Sequence, residues 1–163
     1  MTGDYEIKVL RESDVDLLQG LLGVFARAFE EPDRYLEHQP QRSYLREMLR
    51  KAHFLVVVAV ADDAVVGGLA AYLLDKFEQD RREIYIYDLA VDEAHRRRGI
   101  AKSLLEELRR LAVERDAYVI FVQADIEDAP AIALYQSLGE GIMAIQFDIP
   151  VVRPPDAGGP TRR

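Results

Sequence analysis

Two apolar runs in the middle of the chain, Phe54 to Ala61 and Val65 to Leu74, most limit what it can fold into. The first, FLVVVAVA, offers no polar position to solvent, so as a strand it needs cover on both faces. Asp62-Asp63 stands between the runs as a turn, and the second run returns as a hairpin partner. A hairpin with such a strand fits a sheet that has helices packed against it.

The flanking pattern supplies those helices. Tyr5 to Leu10 alternates polar and apolar residues and reads as a first strand. Ser13 with Asp16 has capping-box spacing and opens a helix to about Phe29, with Leu18, Leu21, Leu22, Phe25 and Phe29 on one face. Glu30 to Arg42, polar and broken by Pro32 and Pro40, is a loop, and a short helix follows to about Lys51. After a charged loop, Asp75 to Arg82, the segment Glu83 to Val91 is a strand rich in β-branched and aromatic residues. His95 to Arg98, a basic turn, leads through Gly99 into a helix with Ile100, Leu104, Leu105, Leu108, Leu111 and Ala112 inward. Tyr118 to Ala124 is a further strand, and Pro130 to Leu138 a short helix stopped by Gly139. Ile142 to Ile149 is expected to close the sheet. This order predicts one mixed α/β (α+β) domain over residues 1–149, with a central mixed β-sheet flanked by helices, and a disordered tail over 150–163.

The chain has 163 residues, 29 acidic and 21 basic, for a formal net charge of -8, which counts against a nucleic-acid partner. It has no cysteine, which excludes a disulfide scaffold, a thiolate metal site and a cysteine nucleophile. His38, His53 and His95 are scattered, so no metal is expected. Met1 to Tyr5 carries no basic-then-apolar leader pattern, and Ala64 to Leu74, the longest apolar stretch, is too short to span a bilayer. The expectation is a cytoplasmic protein without membrane contact.

The chemistry concentrates where the strand Glu83 to Val91 feeds the basic turn. A helix start offers unpaired N–H groups and the positive end of a dipole. Gly99 lets backbone approach a ligand, small Ala101 keeps the first turn clear, and Arg96, Arg97, Arg98 and Lys102 add positive charge. Together these residues suit a phosphate or pyrophosphate; a solvated basic turn is the plainer alternative. Upstream, strict alternation puts Asp88 on the same face as Ile84, Ile86 and Ala90, and a carboxylate in so apolar a strand is costly without a purpose.

Arg96-Arg97-Arg98-Gly99-Ile100-Ala101 fits the R/Q-x-x-G-x-G/A signature, and Ala131-x-x-x-Tyr135-x-x-x-Gly139 follows downstream. On these motifs the chain resembles the GNAT superfamily of acetyl-CoA-dependent N-acetyltransferases. A denser, collinear set is His38-Gln39-Pro40, Lys76 to Gln79, Glu83 to Val91, Tyr118 to Ile120, Gln123 to Asp125, Ala133 to Tyr135 and Phe147 to Ile149. That set resembles the aminoglycoside 3-N-acetyltransferases of the GNAT type. Asp128 stands where many GNAT members have asparagine, and Glu140 to Gln146 follows the pattern loosely.

The resemblance implies a GNAT acyl-CoA N-acyltransferase fold, splayed at the CoA strand, and acetyl-CoA as co-substrate. It implies direct transfer of the acetyl group to the 3-amino group of an aminoglycoside, which confers resistance. The pantetheine arm would bond backbone along Leu89, Ala90 and Val91, admitted by a bulge, with the Val91 N–H as oxyanion donor. The pyrophosphate would sit on Arg96, Arg97, Arg98, Gly99, Ile100, Ala101 and Lys102. Asp88 becomes the base, or the group that orients the ammonium while water takes the proton, and Tyr135 the acid that meets the CoA thiolate.

A polycationic amine needs carboxylates around the site. Glu78 and Glu83, with Asp75 and Asp80, form one acidic group; Asp125, Glu127 and Asp128 form another, and Tyr87 adds a ring wall. Two alternatives stand beside this reading: an acetyltransferase for another small cationic amine such as a polyamine, and a non-catalytic acyl-CoA-binding module. The apolar positions of Ile142 to Ile149 also suit a homodimer interface.

Overall fold

The structure, a computed structural model, describes residues 4–151; the tail expected over 150–163 lies outside it except for Pro150 and Val151. The chain divides into two compact units between Asp125 and Ile126.

The first unit is built on a five-stranded sheet in the order β1 (Glu6–Val9), β2 (Phe54–Ala61), β3 (Ala64–Lys76), β4 (Arg81–Val91) and β5 (Ala117–Val122). The first three pairings are antiparallel and β4–β5 is parallel. The β2–β3 hairpin closes through Asp62 and Asp63, both left-handed at φ 48° and 61°, as a two-residue turn that keeps the strand twist. Before the hairpin come α1 (Val15–Ala28), a π-helical turn at Asp33–Glu37, and α2 (Arg42–Arg50); α3 (Ile100–Glu114) lies between β4 and β5.

Helices cover both faces, as the apolar β2 requires. Val56 and Val58 join a core with Leu18, Leu21, Val24 and Phe25 of α1 and Leu45 of α2. Leu55, Val57 and Ala59 alternate with them, are equally buried, and belong to the opposite face. There α3 packs against the sheet with Ile100, Leu104, Leu105, Leu108, Leu111 and Ala112 buried. Gly67 and Gly68 mark the two sides. A Cβ on Gly67 would meet Ile100 of α3, and one on Gly68 would come within 2.5 Å of Leu21 of α1. The expected capping box does not form: α1 begins one residue later, with Asp14 at its cap position. The Asp14 carboxylate accepts from the Arg11 backbone N–H and from Lys8 Nζ, both at 2.8 Å, so the turn before the helix is tied down.

In the second unit α4 (Ala129–Gln136) starts with Pro130 in its first turn and is capped by Asp128, whose Oδ1 accepts from the Ala131 N–H at 3.0 Å. The strand expected at Ile142 to Ile149 is absent: the segment has no ladder partner, and Ile142, Ile145, Phe147 and Ile149 are almost fully exposed. Alternating hydrophobicity favours a strand only when a neighbouring edge takes its backbone groups. Among the described residues no helix is long and apolar enough to cross a membrane.

Candidate active site

The site grows from an irregularity in β4. In the β3–β4 ladder Ala71 pairs with Ile86 and Ala70 with Asp88, leaving Tyr87 as an extra residue. This bulge reverses the alternation, so Asp88 does not share the face of Ile84 and Ile86, contrary to the sequence expectation. It faces the α1 side with its partner Ala70, while Ile84 and Ile86 remain sealed in the sheet's other core. On the other edge, the β4–β5 ladder ends at Ile86 and Val122. Tyr87 to Val91 are therefore laddered on the β3 side alone, and their other backbone edge is open.

Asp88 lines a cavity of about 210 Å³ with Leu18, Leu21, Leu22, Phe25, Tyr35, Tyr44, Leu45, Met48, Phe54, Ala70 and Tyr72. It is the only charged residue in that lining. Burial raises the Asp88 carboxyl above the ordinary carboxylate range; a hydrogen bond from Tyr35 and the charge of Arg34 oppose the rise, and Glu31 adds to it. Tyr35 Oη donates to Asp88 Oδ1 at 3.2 Å, and burial together with the Asp88 charge pushes that phenol up to about 12. Sequence reasoning missed Tyr35, Tyr44 and Tyr72. The available signal was Tyr35 as an aromatic residue in the polar, proline-flanked stretch read as a loop.

Beyond β4 a short 3-10 turn, Glu93–His95, leads into the basic loop. Arg97 and Gly99 are both left-handed, at φ 63° and 81°, and turn the backbone directly into α3. The first intrahelical bond runs from the Ser103 N–H to the Gly99 carbonyl, so the N–H groups of Ile100, Ala101 and Lys102 lie at the open helix start. Arg96, Arg97, Arg98 and Lys102 are exposed. Arg96 Nε donates to the Val91 carbonyl at 3.1 Å, which closes the loop onto the end of β4. The side chains of Ala90, Val91 and Ile100 are buried, so only their backbone can meet a ligand.

The acidic groups are less available than the sequence suggested. Glu78 sits near Arg81 and Lys76, at 3.5 and 3.6 Å, and Glu83 accepts from Tyr118 Oη at 2.5 Å. Asp75 is paired with Arg82 at 2.9 Å. Tyr87 is half exposed, with its ring against Tyr72 and Tyr85. At the end of the first unit Asp125 is exposed. In the second, Glu127 is exposed and Asp128 is occupied as the α4 cap. Tyr135 is half-buried in α4, where burial and the nearby Asp128 charge push its phenol up to about 12. No group of His, Asp and Glu that could hold a metal occurs among the described residues.

This combination of a mixed sheet opened along β4 and a glycine-initiated basic helix start is that of an acyltransferase fold. The chain belongs to the acetyltransferase (GNAT) family, which it matches over residues 20–139. It is similar to an aminoglycoside acetyltransferase, HMB0005, from an uncultured soil metagenomic sample, at 50% identity and TM-score 0.89, covering 91% of this chain and 99% of that one. A second aminoglycoside acetyltransferase from such a sample, meta-AAC0020 in complex with sisomicin, is 29% identical with TM-score 0.79, covering 90% and 97%. Among curated proteins, N-acetyltransferase 8 of Homo sapiens is 33% identical over 98 residues, 60% of this chain and 41% of that protein. The chain spans about half the length of the curated relatives it matches.

GNAT acetyltransferases use acetyl-CoA. The residues here fit that molecule. A Cβ built on Gly99 would meet only the Tyr5 hydroxyl, at 3.9 Å, so the helix start is open to an anionic group. The unladdered edge of Tyr87 to Val91 suits an arm that carries amide groups.

Proposed function

We propose that the chain transfers the acetyl group of acetyl-CoA directly to the 3-amino group of an aminoglycoside. The observation that carries this reading is Asp88, turned by the Tyr87 bulge into an aromatic-walled cavity at the opened end of β4. An amine entering as ammonium gives its proton to Asp88, or to water while Asp88 holds it in place. The freed nitrogen lone pair attacks the thioester carbonyl carbon, the C–S bond breaks, and the thiolate takes a proton. Tyr135 is the donor in this reading, the role that the resemblance implies for it; its phenol, at about 12, is protonated in the neutral range. The Val91 N–H stabilises negative charge developing on the carbonyl oxygen. Leu89, Ala90 and Val91 hold the arm by backbone, while Arg97, Arg98, Lys102 and the N–H groups after Gly99 hold the phosphates.

The acceptor class rests on the aminoglycoside acetyltransferases this chain resembles. Asp125 and Glu127 are the exposed carboxylates that would draw a polycation. The apolar cavity lining supports a second reading, a smaller amine such as a polyamine whose methylene chain would pack on the rings. The exposed apolar positions Ile145, Phe147 and Ile149 support a homodimer in which they pair with a second copy. Release of free thiol from acetyl-CoA, followed with a gentamicin-type compound, spermidine and a lysine peptide, tests the reading. Turnover restricted to the aminoglycoside, with the acetylated nitrogen located by NMR, is the expected result. Turnover with spermidine alone selects the second reading, and none with any amine leaves a non-catalytic acyl-CoA-binding module.

A further inference from the structure

We propose that Tyr35 is a positioning residue for this reaction: its hydroxyl holds Oδ1 of Asp88 so that Oδ2 is presented to the incoming amine. This rests on the reading of Asp88 given above and goes beyond it, since the sequence motifs single out no residue of this segment.

Among the described residues, the Tyr35 hydroxyl is the one side-chain donor that reaches Asp88, at 3.2 Å. The rest of the cavity wall is largely aliphatic and aromatic, so a carboxylate there without a donor would be free to rotate and would favour its neutral form. Tyr35 is itself immobilised. It sits in the π-helical turn Asp33–Glu37, is buried, and packs its ring against Phe25 and Phe29 at 5.8 and 5.9 Å. Arg34 lies over that ring, 5.4 Å from its centroid, and is held by Glu31 at 3.2 Å. A phenylalanine would make the same ring contacts; the hydroxyl is what the packing leaves unexplained, and Asp88 is its partner.

The electrostatics follow from this geometry. The Tyr35 hydrogen bond and Arg34 favour the charged carboxylate, while burial and Glu31 oppose it. Burial raises the Tyr72 and Tyr85 phenols, and the Asp88 charge adds to both. Removing the hydroxyl therefore leaves a carboxyl that holds its proton to higher pH, and the acid limb of the rate profile moves up.

The test is the pH profile of kcat and kcat/KM for Tyr35→Phe with the best acceptor from the thiol-release assay. The expected result is a fall in kcat of roughly tenfold, with KM for acetyl-CoA unchanged and the acid limb raised by about half to one pH unit. Uniform replacement of tyrosine by 3-fluorotyrosine sharpens the donor without removing it and should move the acid limb the other way. It also provides the readout if Tyr35→Phe does not fold. An acid limb unmoved in the folded variant, or unmoved on fluorination, overturns the proposal. Asp88→Asn separates the two failures. If it abolishes the acid limb while Tyr35→Phe leaves the limb in place, only the positioning role is lost. If it turns over normally with an unchanged profile, the reading of Asp88 is lost as well.

Discussion

Asp88→Asn should make the protein more stable while disabling it. The carboxyl is partly buried in an apolar cavity, and burial raises it above the range it has in an unfolded chain. A raised carboxyl means that the folded state prefers the neutral acid. Folding is then favoured most below the unfolded value, near pH 4, and the contribution is lost as pH rises through the folded value. Above both values the native state carries a constant penalty, about 1.4 kcal/mol for each unit of elevation. The Tyr35 hydrogen bond, the Arg34 charge and solvent entering the cavity all reduce that penalty. Asparagine has the same shape, is never ionised, and its carbonyl still accepts from Tyr35. The expected result at pH 7 is therefore a gain in stability, read as a higher urea midpoint and a higher melting midpoint for the variant. Urea unfolding of both proteins at pH 7 and near pH 4 reads it, and the gain should shrink towards zero at the lower pH. Turnover of the same variant should fall by roughly a hundredfold or more. A variant less stable than the parent at pH 7, or a gain independent of pH, would refute the placement of an ionised Asp88 in an apolar site.

Two further predictions test the scaffold. Gly68→Ala places a Cβ 2.5 Å from Leu21 and 2.8 Å from the Val57 carbonyl oxygen, a backbone atom that cannot move aside. Its urea midpoint should report a loss of about 1–3 kcal/mol. Deletion of Tyr87 removes the extra residue while leaving Ala71 opposite Ile86 and Ala70 opposite Asp88, so every buried side chain keeps its face. Acetyl-CoA affinity by calorimetry should drop about tenfold or more if the bulge is what opens the strand edge, with the fold retained by circular dichroism. Unchanged affinity would locate the opening elsewhere.

The secondary elements of the first unit were largely legible. The Phe54 to Ala61 strand, the Asp62-Asp63 turn and the α3 helix follow from local rules: no solvent face, a two-residue reversal, and a periodic apolar stripe. So did the basic loop, because glycine followed by a regular amphipathic helix has a local signature. The Ile142 to Ile149 segment misled because its alternation satisfies the local rule, while no strand of the described residues pairs with it. The role of Asp128 as a helix cap was equally hidden, since an acidic residue before an apolar helix suits either a cap or a ligand.

What the sequence by itself determined is the α/β architecture, the phosphate-suited helix start and the presence of a costly carboxylate in β4. It could not determine which way that carboxylate faces. A bulge depends on where a neighbouring strand places its hydrogen bonds, and one unmatched residue, Tyr87, reverses every side chain beyond it. Tyr35 reaches Asp88 from 53 residues away in the chain, a contact that only the packing of α1 and the π-helical turn against the sheet creates. The fold is written in short-range periodicity; the site is decided where distant segments meet.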